Sequence, residues 1–255
     1  MSATGTVARH RGAFRRLLAV EARLAWREPV ALVWGVGLPV VLVLIFGNIS
    51  AFREVLPGSG GLTVLDAYLP VLVMVVLAML GLVGLPVPLA TYRELGVLRR
   101  MSTTPVHPSW VLGAQLVVNL AMAAVAVALV LGMGMALGAQ LPSQALGFAL
   151  ALVLATATLF TLGLCVAAMA RTARAAAALG NALFFPLAFF GGLWLPQPVM
   201  PEVLQRISGY TPTGAAVQAM TSTVQGSFPS LASLLVMGGY AVAFAVVAVR
   251  TFRWE

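Results

Sequence analysis

Few side chains in this chain of 255 residues have the chemistry for catalysis or metal binding. The single cysteine, Cys165, and the two histidines, His10 and His107, are too few and too scattered for a zinc cluster. All 15 basic residues are arginines, so the chain lacks the lysine with which a P-loop contacts the phosphates of ATP. The sequence therefore predicts a chain that does no covalent chemistry, binds no cofactor or metal itself, and takes any energy of ATP hydrolysis from a partner.

The polar stretch Tyr92–Trp110 lies between two long apolar runs and contains the pair Arg99 and Arg100. An arginine at the centre of a bilayer costs about 2.5–3.5 kcal/mol on insertion scales, so this stretch is expected to stay outside the membrane. Thr91–Met101 is long enough for about three helical turns, and Pro105 ends that helix. The pattern predicts a charged helix between two membrane spans.

The composition is typical of a membrane protein, because 61% of the residues are hydrophobic and 9% are charged. Soluble domains carry about 25% charged residues. Residues 101–170 contain no Asp, Glu, Lys or Arg. Since a spanning helix needs about 20 apolar residues, we predict an all-α polytopic fold with six transmembrane helices, at roughly residues 30–49, 67–90, 111–137, 145–170, 175–195 and 231–249.

The arginines predict how this fold is oriented. With the N-terminus in the cytosol, the inner segments hold every arginine except Arg53 and Arg206, as the positive-inside rule requires. The prediction is a multi-pass protein of a bacterial inner membrane with both termini in the cytoplasm. The net charge of +8 is then a signal of topology, and nucleic acid is not an expected partner because no soluble basic domain remains.

The N-terminal segment, residues 13–27, separates its arginines and its apolar residues onto different faces of a helix. This is the pattern of an interfacial amphipathic helix that contacts membrane lipid. Glu21 lies in the middle of the apolar face. Either it snorkels or pairs with a nearby arginine, or it pairs with Arg99 or Arg100 of the inner loop.

The outer segment, residues 196–230, is long and rich in proline and glycine. Within it, Pro201–Gly209 has apolar residues on one side, which predicts a short amphipathic helix at the outer surface. No repeat or linker marks a boundary, so we treat residues 1–255 as a single domain.

Several polar and aromatic residues within the spans are candidates for lining a substrate path. The alternative is that the polar side chains bond their own or a neighbouring helix and that the aromatic residues form an interfacial belt. The candidates are Gln115, Asn119, Thr158, Asn181, Phe185, Phe189 and Trp194.

Two stretches resemble the ABC-2 type exporter permeases. The first is RELGVLRRMSTTPVHPSWVLGAQL, Arg93–Leu116, and the second is FFGGLWLPQPVMPEVLQRISGYTPTGAAVQAM, Phe189–Met220. The order of amphipathic helix, spans and loops also matches, so the resemblance covers nearly the whole chain. Tyr92 departs from it, because the family often has more charge at that position.

The resemblance implies a type V exporter-like architecture in which residues 91–104 form a coupling helix on a separate ATPase. Two ATPase subunits would carry ATP and Mg²⁺, and a second permease copy or a paralogue would complete the path. The exported substrate would be a drug, an antibiotic or a lipid of hydrophobic or amphiphilic character. The coupling residues would be Arg93, Glu94, Leu95, Gly96, Leu98, Arg99 and Arg100, with Glu21.

Three other interpretations make different demands on the sequence. A secondary transporter needs an ionisable residue near the bilayer centre for ion coupling, and the predicted spans contain none. A membrane-embedded enzyme needs clustered catalytic groups, but His107 is solitary. The inner loop is also compatible with a basic loop that has no partner.

Overall fold

The computed structural model describes residues 3–28, 33–56, 61–97 and 109–251. Regular structure in these ranges is helical, apart from one isolated antiparallel bridge between Val55 and Thr63. Short π-helical turns, Val33–Gly37 and Leu80–Gly84, precede the second and fourth helices. The α-helices are α1 Ala3–Arg27, α2 Leu38–Asn48, α3 Val64–Met79, α4 Pro86–Glu94, α5 Ser109–Ala136, α6 Ala145–Met169, α7 Ala173–Phe190, α8 Glu202–Tyr210, α9 Pro212–Val224 and α10 Leu231–Thr251.

Within the described ranges, five helical segments are long and apolar enough to cross a membrane. They coincide with the second to the sixth predicted spans: Val64–Glu94, Ser109–Ala136, Ala145–Met169, Ala173–Phe190 and Leu231–Thr251. The predicted first span, residues 30–49, corresponds to the shorter apolar helix Val33–Asn48. This is the architecture of an all-helical, multi-pass membrane protein. Six crossings, and the position of α1 on the membrane surface, stay predictions.

The central element is the segment Val64–Glu94, which joins α3, a π-helical turn and α4 in 31 residues and is mostly buried. It is apolar on all sides, which is typical of a helix that packs against neighbours all round. A capping box of Thr63 and Asp66 starts it. The helices α5, α6, α7 and α9 pack around it, so it forms the axis of the bundle.

A proline explains the π-helical turn Leu80–Gly84. Pro86 has no N–H to donate to the carbonyl of Leu82, and the N–H of Leu85 donates to Leu80 at 2.9 Å instead of to Gly81. The carbonyl oxygens of Gly81 and Leu82 are thereby turned toward the neighbouring helices α6 and α7. They meet two glycines, Gly163 and Gly180, at which any Cβ atom would overlap these oxygens. The turn thus allows three helices to approach one another closely.

The outer segment folds into α8 and α9. The helix α8 lies where the short amphipathic helix is predicted. The helix α9 is buried along most of its length against α3, α6 and α10. The side-chain amide of Gln197 donates to the carbonyls of Phe190 and Gly214 and to the Ser208 hydroxyl, so it fastens these helices to the end of α7.

The structure differs from the predicted boundaries at two places. The coupling helix is predicted over residues 91–104, but residues 91–94 are the last turn of α4. The chain then turns at Gly96, whose φ of +66° is a conformation that favours glycine. Residues 98–104 lie outside the described ranges. The predicted fifth span, 175–195, ends earlier as α7, because the chain turns after Phe190 through Gly192 at φ +88°.

Candidate functional site

A cleft of about 900 Å³ lies between α2, the central segment and α7. We call the end of the molecule that holds Arg93 the inner end, after the predicted orientation. The cleft runs from Glu28 and Pro88 at the inner end to Phe46 and Trp194 at the outer end. The chain from Trp34 to Phe46 covers roughly 18 Å at 1.5 Å per residue, more than half of a hydrocarbon core of about 30 Å. The cleft is therefore long enough to follow much of the depth of a bilayer.

Both π-helical turns contribute to the cleft wall. Gly35 of the first turn lies against the side chain of Leu80 in the second, and Gly84 also faces the cleft. Isolated π-helical turns are rare in proteins, and those that occur are often found at functional sites. Sequence reasoning missed both turns, although the run LGLVGLPVP, with Gly81, Gly84 and Pro86, carries the signal for the second one.

The lining is apolar except at a few points. Glu28 contributes a carboxylate at the inner end, and Asn181 contributes an amide further along α7. The Asn181 side-chain N–H₂ donates to the carbonyl of Ala177 at 2.8 Å, which leaves its Oδ1 atom as an acceptor for a ligand. At the outer end the rings of Phe185 and Trp194 stack with centroids 5.9 Å apart and planes 13° apart. The cleft can therefore accept an apolar body and a polar or charged tip.

Three of the residues predicted for the substrate path line this cleft, namely Asn181, Phe185 and Trp194. Two others are not part of its lining. The hydroxyl of Thr158 donates to the carbonyls of Leu154 and Met237, so it joins α6 to α10. Phe189 contacts Phe190 edge to face. For Thr158, the contact agrees with the alternative in which a polar side chain bonds its own or a neighbouring helix.

The remaining two candidates, Gln115 and Asn119, lie in a smaller cavity of about 170 Å³ on the other side of the central segment. This cavity shares Glu28, Leu80 and Gly84 with the cleft. The Asn119 amide donates to the backbone carbonyl of Gln115 at 3.0 Å. The two cavities therefore adjoin at the inner end, and their polar groups come from different helices.

Glu21 lies beside this smaller cavity and is buried, with 3% of its surface exposed. Its carboxylate oxygens accept hydrogen bonds from the Tyr92 hydroxyl at 2.9 Å and from the Gln115 amide at 2.5 Å. Burial raises the pKa of the Glu21 carboxyl, the two hydrogen bonds oppose that rise, and the nearby charge of Glu28 adds to it.

The partners of Glu21 differ from those expected. It does not snorkel, and within the described residues it forms no ion pair with an arginine. The alternative partners, Arg99 and Arg100, lie outside the described ranges. Sequence reasoning missed Tyr92 and Gln115 as partners of Glu21, because the three residues are far apart in the chain. The signal was the acidic residue on an otherwise apolar helix face.

Arg93 and Glu94 hold the connection between α6 and α7, and we call these two residues the inner clamp. One guanidinium nitrogen of Arg93, Nη1, donates to the carbonyls of Ala167 and Ala170 at 3.0 Å, at the C-terminal end of α6. The Glu94 carboxylate accepts the N–H of Ala173 at 2.9 Å, at the start of α7. A cation at a helix C-terminus and an anion at an N-terminus both stabilise the helix dipole.

The inner clamp bears on the predicted coupling role. The charged groups of Arg93 and Glu94 point at the chain's own helices, so in this conformation they bond within the subunit. Leu95 is instead 61% exposed, and Gly96 has open space around its Cα. Leu98, Arg99 and Arg100 lie outside the described ranges. A coupling role for any of these residues stays a prediction.

Comparison with known proteins identifies the family. The profile of the family described as ABC-2 type transporter matches residues 12–224, from α1 to the end of α9. A Bacillus subtilis (strain 168) protein with the name "Putative transport permease YvfS" is 30% identical over 78 residues, which is 31% of this chain and 32% of that protein. That alignment spans about a third of each chain. Because the family profile covers most of the sequence, the chain belongs to the ABC-2 type transporter family.

Proposed function

We propose that this chain is the transmembrane permease subunit of an ATP-binding cassette exporter. It moves a hydrophobic or amphiphilic substrate, such as a drug, an antibiotic or a lipid, outward across a bacterial inner membrane. A separate ATPase subunit, present in two copies, binds ATP and Mg²⁺ and supplies the energy. The six-span topology with both termini in the cytoplasm belongs to the same proposal.

The observation that carries this proposal is the apolar cleft. Its lining suits an apolar cargo, and its length suits movement between the two faces of a membrane. A single helix bundle with a cleft on one side leaves the path incomplete. A second permease copy, or a paralogue, closes the path in the functional complex.

The point of energy entry is the segment that follows α4. It begins at the exposed Leu95, next to the inner clamp. A push on this segment would move the end of α4 and, through Arg93 and Glu94, the connection between α6 and α7. The bonds of Glu21 to Tyr92 would pass the same movement to α1. Both effects act on elements next to the cleft.

The test is transport into inverted membrane vesicles that contain the chain together with its cognate ATPase. We expect uptake of a lipophilic fluorescent substrate that requires ATP and persists after the proton gradient is collapsed. Leu42→Trp fills the cleft from α2 and is expected to abolish that uptake. The matched control is Leu146→Trp, because Leu146 is 83% exposed on α6 and outside the cleft.

Two outcomes contradict the proposal. Uptake that proceeds in energised vesicles without any ATPase identifies a secondary transporter. ATP-driven uptake that Leu42→Trp and Leu146→Trp affect equally assigns the path to another surface. For the coupling segment, Leu95→Ala is expected to leave ATP hydrolysis in the complex and to lower uptake several-fold.

A further inference from the structure

We infer that the cleft between α2, the central segment and α7 is a binding site for lipophilic cations, with Glu28 as the counter-ion. This inference rests on the proposal that the cleft holds the transported substrate, and it goes further by assigning the charge of that substrate. It follows from the charges, the rings and the hydrogen-bonding groups that face the cleft.

Charge is the first argument. Among the described residues that line the cleft, Glu28 is the only charged one. The next four residues of the chain, positions 29–32, are uncharged. No arginine faces the cleft within the described ranges, although the chain has 15 of them. A cation in the cleft therefore meets one opposite charge, whereas an anion meets one like charge.

The aromatic lining is the second argument. Five aromatic side chains face the cleft, and two of them are tryptophans: Trp34 near the inner end and Trp194 at the outer end. The negative face of an indole ring attracts a cation, and this attraction is stronger where water is excluded. Along the cleft, a cation thus finds aromatic rings at both ends and the carboxylate at one.

The hydrogen-bonding groups of the lining also favour a cation. The Asn181 N–H₂ group donates to Ala177, and its carbonyl oxygen is an acceptor on a residue that lines the cleft. Together with the Glu28 carboxylate, this supplies acceptors for an ammonium or other N–H⁺ group. The donors of the described lining, namely the second Asn181 N–H and the indole N–H groups, carry no charge, so none of them meets the demand of a phosphate or carboxylate ligand.

The size of the cleft further restricts which cations it can bind. At about 900 Å³ it lies at the upper end of the range of roughly 300–1,000 Å³ for drug-sized ligands. Its apolar walls bury hydrocarbon or ring surface, which hydrophilic cations lack. The site therefore fits a compact amphiphile with several rings and one positive charge.

The experiment uses three probes of the same shape and different charge: tetraphenylphosphonium, tetraphenylborate and the neutral tetraphenylsilane. Equilibrium binding is measured on the full chain in lipid nanodiscs, and binding to empty nanodiscs is subtracted. We expect the cation to bind more than about tenfold more tightly than the anion, because one carboxylate at close range attracts the cation and repels the anion. We expect Leu42→Trp to remove the binding of all three probes.

Glu28→Gln isolates the charge. It is expected to weaken binding of the cation about fivefold to tenfold and to leave binding of tetraphenylsilane unchanged. Glu28→Arg is expected to reverse the preference between the cation and the anion. The matched control is Glu202→Gln, since Glu202 is an exposed carboxylate on α8 that pairs with Arg206, and it is expected to change neither.

Three results overturn the inference. Equal affinity for the cation and the anion, or cation binding that Glu28→Gln leaves unchanged, removes the assigned charge but leaves the exporter proposal standing. Cation binding that Leu42→Trp does not reduce places the site outside the cleft. The exporter proposal is judged separately, by ATP-driven uptake in vesicles.

Discussion

Among the described residues, two carboxylates are buried, and they are satisfied in different ways. Asp66, at the outer end, is 1% exposed and accepts from the backbone N–H groups of Thr63 at 2.6 Å and Gln140 at 2.7 Å. Glu21, at the inner end, is 3% exposed and accepts from the side chains of Tyr92 and Gln115. The donors to Asp66 are held in place by the backbone, whereas both members of each Glu21 bond are side chains that can rotate. The outer attachment is therefore the more rigid one, and the inner one is able to release.

The other contacts at the two ends of the molecule differ in the same way as those of Asp66 and Glu21. At the outer end, Gln197 ties α7, α8 and α9 together through two backbone carbonyls and one hydroxyl. At the inner end, three consecutive residues of α4 reach three other elements: Tyr92 reaches Glu21 on α1, Arg93 reaches α6, and Glu94 reaches α7. A displacement of this last turn of α4 would therefore move the three elements that are bonded to it. The variants below test this contrast.

The largest expected effect is at the more rigid, outer end. Asp66→Ala removes a capping box and leaves the N–H of Gln140 without its acceptor, which is expected to cost about 3 kcal/mol of stability. The measurement is the midpoint of thermal unfolding in detergent. Glu54→Ala is the control, since Glu54 is an exposed acidic residue of the same outer region. A loss no greater than that of Glu54→Ala would contradict the structural role of Asp66.

Arg93→Met is expected to have the next largest effect, about 2 kcal/mol, because several carbonyls at the end of α6 lose their donor. The loss should be local, so the measurement is amide hydrogen exchange over the connection between α6 and α7. Exchange is expected to rise there and to stay unchanged in α9. Arg174→Met is the control, since Arg174 is exposed on the first turn of α7. Equal exchange in both variants would show that Arg93 does not hold this connection.

Glu21→Ala should release α1 and leave the bundle folded. The Tyr92 hydroxyl and the Gln115 amide lose a buried acceptor, which is expected to cost about 1 kcal/mol. Trypsin cleavage at the arginines of α1 is expected to become several-fold faster, while the unfolding midpoint moves little. Glu202→Ala is the control, since Glu202 is an exposed carboxylate on a different helix, α8. Cleavage that is equally fast in both variants would contradict the attachment through Glu21.

Local features of the sequence predicted most of the helices. Long apolar runs and polar turns are formed by residues that are adjacent in the chain, so they can be recognised without the tertiary structure. Five helices accordingly lie close to their predicted spans. The candidate site was predictable only in part. Asn181, Phe185 and Trp194 were selected as polar or aromatic residues within a span, and they line the cleft. Whether such a residue faces a cavity or another helix depends on packing, which is why Thr158 was selected by the same rule and instead joins two helices.

Other features depend on contacts that no local pattern contains. The partners of Glu21 are 71 and 94 residues away. A charged residue before a loop gives no sign that helix ends of its own chain lie within reach, so the contacts of Arg93 with α6 and of Glu94 with α7 are not visible in the sequence. The close approach at Gly163 exists because Pro86 reshapes a different helix. Each of these features can be found only from the tertiary structure.

The smallest expected effect is the response of α1 to pH. Burial raises the pKa of the Glu21 carboxyl above its ordinary value, so the docked state of α1 holds its proton more tightly than the released state. Docking is then strongest below the ordinary pKa of a glutamate and weakens as the pH rises through the raised pKa. Between these two values, acidification is expected to stabilise the wild-type chain relative to Glu21→Gln. The measurement is the difference in thermal midpoint between the two proteins across the pH range.

The neighbouring charges sharpen this last prediction. The Glu28 charge adds to the rise in the Glu21 pKa, so in a Glu28→Gln background the response should move slightly toward the ordinary pKa of a glutamate. A wild-type chain that gains stability as the pH rises would mean that the hydrogen bonds from Tyr92 and Gln115 outweigh burial. The Glu21 attachment would then hold best as a charged group, and α1 would be released by acid instead of by base.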